Sequence, residues 1–171
     1  MQQIMRFEIR QYQLEDTPKV VQLMSKLQDF FVEIDTHQEL KSFDSLQTAK
    51  DYIDQAIKDT TDMNGVVFIA ESEHGEIVGF IQGIINSHED EVMHNLTHQQ
   101  GKDGWIGLLI VDEKYRNQGI GKQLLLRISV FFDKAGCSSI RLKVASNNTH
   151  AIEVYKSLGF AERDIELARK L

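Results

Sequence analysis

Apolar positions along the chain switch between two periods, and the switches divide it into strands and helices. Arg6 to Gln13 alternates well enough for a half-buried first strand. Asp16 and Thr17 offer a helix N-cap with Pro18 tolerated in the first turn, and Val20, Met24, Leu27, Phe31 and Ile34 then share one helical face. A second helix is expected from about Ser45 to Lys58, striped by Leu46, Ala49, Ile53 and Ala56. Val66 to Ala70 and Ile77 to Ile85 are strand-like, and Glu73-His74-Gly75 supplies the tight connection of a hairpin. Trp105 to Val111 is a near-continuous apolar run suited to a buried strand. Helical spacing returns at Ile120, Leu124, Leu125, Ile128, Phe131 and Phe132 and ends at Gly136, after which Ile140 to Val144 alternates apolar and basic residues. Strand, two helices, strands, then strand, helix, strand, helix, strand is an α/β or mixed α+β order.

Between the apolar run and the third helix lies Arg116-Asn117-Gln118-Gly119-Ile120-Gly121. A helix start leaves its first N–H groups without intrahelical partners, and the peptide dipoles add roughly half a positive charge there. Phosphate oxygens suit both needs. Gly119 and Gly121 lack a Cβ and let a bulky diphosphate approach the backbone. On this fragment alone, a tight strand-to-helix connection with two small residues is the favoured reading of the glycines.

Downstream, Asn148, Ala151, Tyr155, Gly159 and Phe160 stand at fixed spacing. With Arg116, Gly119 and Gly121 they form two separated motifs, Arg-x-x-Gly-x-Gly and Asn-x-x-Ala-x-x-x-Tyr followed by Gly-Phe. In this the chain resembles the GNAT superfamily of acyl-CoA-dependent N-acetyltransferases, closely from about Trp105 to Phe160 and earlier only in its order of elements. The resemblance implies a mixed, mostly antiparallel sheet of about six to seven strands flanked by about four helices. It also implies that the fourth and fifth strands, about Trp105 to Val111 and Ser139 to Val144, splay apart to admit a pantetheine arm. The implied reaction moves an acetyl group from acetyl-CoA, as co-substrate, to a primary amine of a small molecule, peptide or protein by direct attack in a ternary complex.

Donor contacts follow from the same resemblance. Leu109, Ile110 and Val111 would hydrogen-bond the pantetheine amides, and one backbone N–H there would polarise the thioester carbonyl. The turn Arg116, Asn117, Gln118, Gly119, Ile120, Gly121 and Lys122 would cradle the diphosphate, with Arg116 and Lys122 adding positive charge. Asn148 either caps the helix that follows or contacts the cofactor arm beside Ala151, and both roles can hold at once. Tyr155 is the candidate general acid. Amide formation must expel a thiolate whose conjugate acid titrates near about 8.5, and a phenol with a value of about 10 stays protonated to donate to it. The alternative for Tyr155 is a ring packed beside Ala151 and Leu158.

The amine side departs from the family. Many relatives place a glutamate where this chain has Gly107, so no side chain there can take the ammonium proton. Glu33, Asp35 and His37, and the segment from His88 to His98, are the remaining candidates, and each reads as a solvated surface group before it reads as a base. The base stays unassigned. Glu113 replaces a frequent proline, which changes turn rigidity more than chemistry. The segment from Asn86 to Gly101 mixes three histidines with three acids, but the spacing fits no established ligand pattern. No metal is expected, and a polar connection that shapes the acceptor pocket is the reading adopted.

Composition narrows these expectations. The 171 residues, 42% hydrophobic, can bury on the order of two-thirds of their unfolded surface. One proline and no Gly/Ser linker, low-complexity run or repeat point to a single domain over residues 1–171. Met1 to Arg6 lacks the apolar core of a secretory signal, and no eighteen consecutive residues are apolar, so a soluble cytoplasmic protein is expected. Its 26 acidic and 19 basic residues give a net charge of -7, which disfavours nucleic acid and anionic membranes and favours cationic substrates. Cys137, the only cysteine, excludes an intrachain disulfide and lends little support to a covalent mechanism.

Two other classes compete with the enzyme. A non-catalytic acyl-CoA sensor would explain Gly107 but not Tyr155. An unrelated phosphate binder would carry Gly-Lys-Ser/Thr after a longer loop or Gly-x-Gly-x-x-Gly, and Gly121 is followed by Lys122-Gln123-Leu124. A homodimer is left open.

Overall fold

One sheet with two apolar faces organises the computed structural model, which describes residues 6–87 and 101–166. Its strands are β1 (Phe7–Gln11), β2 (Val66–Ser72), β3 (Ile77–Ser87), β4 (Lys102–Val111) and β5 (Cys137–Leu142), lying side by side in that order. The first four pair antiparallel, and β4 pairs parallel with β5. Helices α1 (Thr17–Ile34) and α2 (Leu46–Asp62) cover one face, while α3 (Ile120–Lys134) and α4 (Thr149–Ser157) cover the other. Because successive strand residues point to opposite faces, Ile69 and Phe80 join Val20, Leu23, Met24, Ala49 and Ile53 under the first layer. Phe68, Val78 and Ile81 join Ile120, Leu124, Ile128 and Phe132 under the second.

A bulge breaks this alternation inside β4. Gln82 lies opposite Leu108 and Gly83 opposite Ile106, so Gly107 is the extra residue and makes no cross-strand pair. Its effect is a change of face. Ile106 points to the α3 layer, whereas Leu108 and Ile110 point to the α1 and α2 layer. On the paired side of the bulge α3 sits unusually close to the sheet. A Cβ on Gly104 would lie 2.4 Å from Cγ of Phe132, and one on Gly83 would lie 2.6 Å from its Cζ. The fully buried Phe132 ring occupies the space that two side chains would otherwise fill.

Several boundaries differ from the sequence reading. The sheet has five strands among the described residues, not six to seven. After α4 the chain from Phe160 to Glu166 forms no ladder, and Ala161-Glu162-Arg163-Asp164 offers no apolar alternation to bury. Helix α2 continues to Asp62 instead of about Lys58. Strand β4 starts at Lys102, three residues before the apolar run, because Asp103 is buried beside Arg141 and Ser139 of β5. Strand β5 starts at Cys137 and stops at Leu142. Asp16 precedes α1 as expected, but its carboxylate turns back to accept from Gln13 N–H and from Arg10 instead of capping the helix. The expected hairpin between β2 and β3 forms, with Gly75 at φ +77°. No described helix is long and apolar enough to cross a membrane.

Candidate active site

The early end of β5 opens the candidate site. Pairing runs from Lys102 opposite Cys137 to Ile106 opposite Leu142 and then stops, while β4 continues to Val111. Beyond Ile106 the two chains diverge around a cleft of about 360 Å³. Leu109, Ile110 and Val111 form one wall, Leu142 to Ala145 face them, and Leu27, Phe30 and Phe31 of α1 close a side. Tyr155 and Ala151 of α4 also line the cleft, as does Asn148. Residues of the two motif segments, Arg116 to Gly121 and Asn148 to Tyr155, thus line one cleft.

At one end of the cleft the backbone turns into α3. Asn117 (φ +63°) and Gly119 (φ +82°) both adopt left-handed conformations, with Gln118 between them at negative φ. Such alternation aims neighbouring N–H groups into a shared concavity that suits an anion. Gly119 is the helix N-cap, and the first bond into the helix runs from Gln123 N–H to the Gly119 carbonyl. The N–H groups of Ile120, Gly121 and Lys122 therefore stand ahead of the helical ladder. A Cβ on Gly121 would meet only Val111 Cγ2, at an ordinary 3.6 Å. Nothing in the protein's own packing requires glycine there, so the bare backbone suits a ligand that approaches closely. Arg116, Asn117, Gly119, Ile120, Gly121 and Lys122 all line the cleft. Gln118 is exposed in the turn but does not. Arg116 donates from Nε to the Val111 carbonyl at 3.3 Å, which fastens the turn to the end of β4.

Two tyrosines share the cleft in opposite states. The Tyr115 hydroxyl donates to Glu76 Oε2 at 2.5 Å, and that bond raises the phenol's pKa and commits its proton. The Tyr155 hydroxyl makes no hydrogen bond with a described residue. Its ring packs edge-on against Phe160 with centroids 5.9 Å apart, and burial pushes its pKa above the ordinary tyrosine value. The Gly-Phe motif therefore has a packing role, holding the Tyr155 ring. Asn148 Oδ1 accepts from Ala151 N–H at 3.3 Å, so the capping role is formed while the side chain also borders the cleft.

The base candidates at and just beyond the end of α1 do not line this cleft. Asp35 Oδ atoms accept from the N–H groups of Leu40, His37 and Glu39, which organises the turn after α1 and holds the carboxyl below the usual range. Glu33 and His37 also lie outside the lining. His88 to His98 fall outside the described residues. No group of three metal-ligating side chains occurs among the described residues. Other lining residues carried no signal in the sequence. Phe30 and Lys143 line the cleft, and His150 sits at the start of α4. Asn147 Nδ2 donates to the Ile34 carbonyl at 2.8 Å, tying the loop before α4 to the end of α1.

A buried carboxylate sets the far end of β4. Asp112 accepts from Lys26 Nζ of α1 at 2.9 Å and from Lys114 N–H at 3.2 Å. Burial works to raise its pKa, but those donors outweigh it and hold the carboxyl below its ordinary value.

Comparison with known proteins places this geometry. Over 66 residues the chain is 36% identical to N-alpha-acetyltransferase 30 of Xenopus laevis, a stretch covering 39% of this chain and 24% of that protein. Over 57 residues it is 39% identical to the [ribosomal protein bS18]-alanine N-acetyltransferase of Escherichia coli K12, covering 33% and 38% of the two chains. The matched stretches thus span well under half of those relatives. In overall shape the chain is similar to a tetramutant of the BH1408 protein from Bacillus halodurans, with TM-score 0.82, 21% identity and 96% and 99% of the two chains covered. It is also similar to the aminoglycoside N-acetyltransferase AAC(6')-Iy in complex with CoA, with TM-score 0.70, 19% identity and 99% and 98% covered. The model of the acetyltransferase (GNAT) family matches residues 21–160, and the chain belongs to that family.

Proposed function

We propose that residues 1–171 form one N-acetyltransferase domain that transfers an acetyl group from acetyl-CoA to a primary amine by direct attack in a ternary complex. One observation carries the reading: a strand edge released from its neighbour at Ile106 runs to a glycine turn, with an unpartnered tyrosine hydroxyl in the same cleft. The diphosphate would sit on the N–H groups of Ile120, Gly121 and Lys122, with the side chains of Lys122 and Arg116 beside it. The pantetheine amides would pair along Leu109 to Val111, in the way a strand would. One N–H of that edge would donate to the thioester oxygen as it gains charge. The amine nitrogen bonds to the carbonyl carbon, the carbon–sulfur bond breaks, and the departing thiolate takes the proton of Tyr155. Water recharges the phenol and removes the ammonium proton.

A peptide or protein α-amine is the acceptor class favoured here, because the relatives that share sequence bear the names of an N-alpha-acetyltransferase and a ribosomal-protein alanine acetyltransferase. A cytoplasmic location fits that reading. The test measures thiol release from acetyl-CoA with an Ala-initiated hexapeptide, spermidine, kanamycin and free alanine side by side. Acceptor-dependent release with the peptide supports the proposal. CoA binding by calorimetry without release from any amine would favour an acyl-CoA sensor instead.

A further inference from the structure

Behind Gly107, which lines the cleft, lies a buried polar group that the family motifs do not include and that is not itself part of the lining. Gln82 of β3 is 9% exposed and lies on the α1 and α2 side of the sheet, beside the β4 bulge. Its Nε2 donates to Thr60 Oγ1 at 2.8 Å, and the Thr60 hydroxyl in turn donates to the Ala56 carbonyl at 2.6 Å. These two bonds determine which way the amide faces. The threonine proton is committed to Ala56, so only its lone pairs meet Gln82, and the NH2 end must point toward Thr60. The carbonyl end is thereby aimed at Gly107. A Cβ on Gly107 would lie 2.4 Å from Gln82 Oε1, and Gly107 itself lines the cleft. No described residue donates to that oxygen.

We infer that Gln82 Oε1 is the acceptor-binding group of this enzyme, taking a hydrogen bond from the incoming amine in the space beside Gly107. The inference rests on the transfer reaction proposed above and names how its second substrate is held. An amide oxygen is an acceptor and not a base at neutral pH, so Gln82 orients the nitrogen while water receives the proton. It accepts from an ammonium or an amine alike, and it keeps its orientation in both because Thr60 fixes the other end. The glycine at position 107 is then a requirement, since any side chain there would displace the oxygen.

Steady-state kinetics with acetyl-CoA and the Ala-initiated hexapeptide, spermidine or kanamycin test the assignment. Gln82→Leu removes the oxygen, and Gly107→Ala keeps Gln82 but pushes the oxygen aside. Both are expected to raise KM for the accepted amine at least tenfold and to leave acetyl-CoA KM and calorimetric CoA affinity within twofold. Should both variants fold and keep the acceptor KM of the parent, the assignment is overturned. Side-chain amide NMR supplies a readout that needs no turnover. The Gln82 NH2 pair, identified by its loss in Gln82→Leu, should shift on adding the accepted amine and stay put with CoA alone. If no amine in the panel is acetylated, the transfer reading fails by itself. Absence of a Gln82 shift with every amine then overturns this inference separately.

Discussion

The two halves of β4 carry opposite designs in one continuous strand. From Lys102 to Ile106 it is paired on both sides, anchored by the buried Asp103 beside Arg141 and Ser139, and pressed against Phe132. From Leu108 to Val111 it keeps β3 but loses β5, and its free edge faces a cleft. A bulge at Gly107 separates the halves and reverses which residues face which layer. The difference teaches that a free edge here is made by ending a neighbouring strand early, while the same strand's other half stays paired on both sides.

The largest expected effect tests whether the open half is a reaction site at all. Tyr155→Phe should lower kcat by about a hundredfold or more, the range of general-acid catalysis, with acetyl-CoA KM within twofold. Tyr115→Phe, which removes a proton already committed to Glu76, should change kcat by no more than a few-fold. Equal losses in the two variants would assign Tyr155 to packing. Because burial raises the Tyr155 pKa, its acid form should persist on the alkaline side, and kcat should fall there only above about pH 10, the ordinary phenol value.

Asp112 tests how the open half is tethered to α1. Asp112→Asn should cost about 2 kcal/mol in urea unfolding at pH 7, the scale of a lost hydrogen bond to a charged group. Its folded pKa lies below the unfolded one, so this contribution is present above about pH 4 and is lost as pH falls through the folded value. The parent and variant curves should converge toward pH 2. Curves that stay parallel would show that the Lys26 pairing adds nothing.

Gly121→Ala should separate folding from binding. Alanine in the first helical turn is expected to raise stability by up to about 1 kcal/mol, since no protein atom lies closer than 3.6 Å to the new Cβ. CoA affinity, measured by calorimetry, should fall in the same variant. Unchanged affinity would place the diphosphate elsewhere. The smallest effect is expected at Asn148→Ala, where losing the bond to Ala151 N–H should lower stability by about 1 kcal/mol and leave kcat far less affected than the loss of the Tyr155 proton.

The open half was legible in the sequence, and the reason is chemical. Leu109 to Gly121 joins a strand buried on both faces to a glycine turn whose conformation few other residues tolerate, so composition reports geometry directly. The paired half was not legible as strand before Trp105, because Asp103 is charged and only its partners on β5 show why it can be buried. Gly107 was visible as a missing carboxylate, but not as a bulge, since an apolar run buried on both faces has no alternation for a bulge to disturb. Gln82 gave no signal. Between Ile81 and Gly83 it reads as an ordinary polar strand position, and its orientation depends on Thr60, whose helix extends past the last residue of the apolar stripe. The role of Asp35 in organising the turn after α1 was hidden for a similar reason, since its three backbone donors arise only from the turn that follows it.

The Phe132 ring makes positions 83, 104 and 132 a single unit of inheritance. Gly104→Ala alone would drive a methyl group into the ring, and Phe132→Leu alone would leave a void over two glycines. Neither change is free of cost, and leucine keeps the Cγ and Cδ atoms that a Gly104 Cβ would meet, so only a residue lacking them at 132 makes room for alanine at 104. Related chains should therefore show glycine kept at 104 wherever a phenylalanine stands at 132, with alanine there only alongside a much smaller residue, while Gly83 is held by Ile128 Cδ1, 2.7 Å from its Cβ position, as well as by the ring.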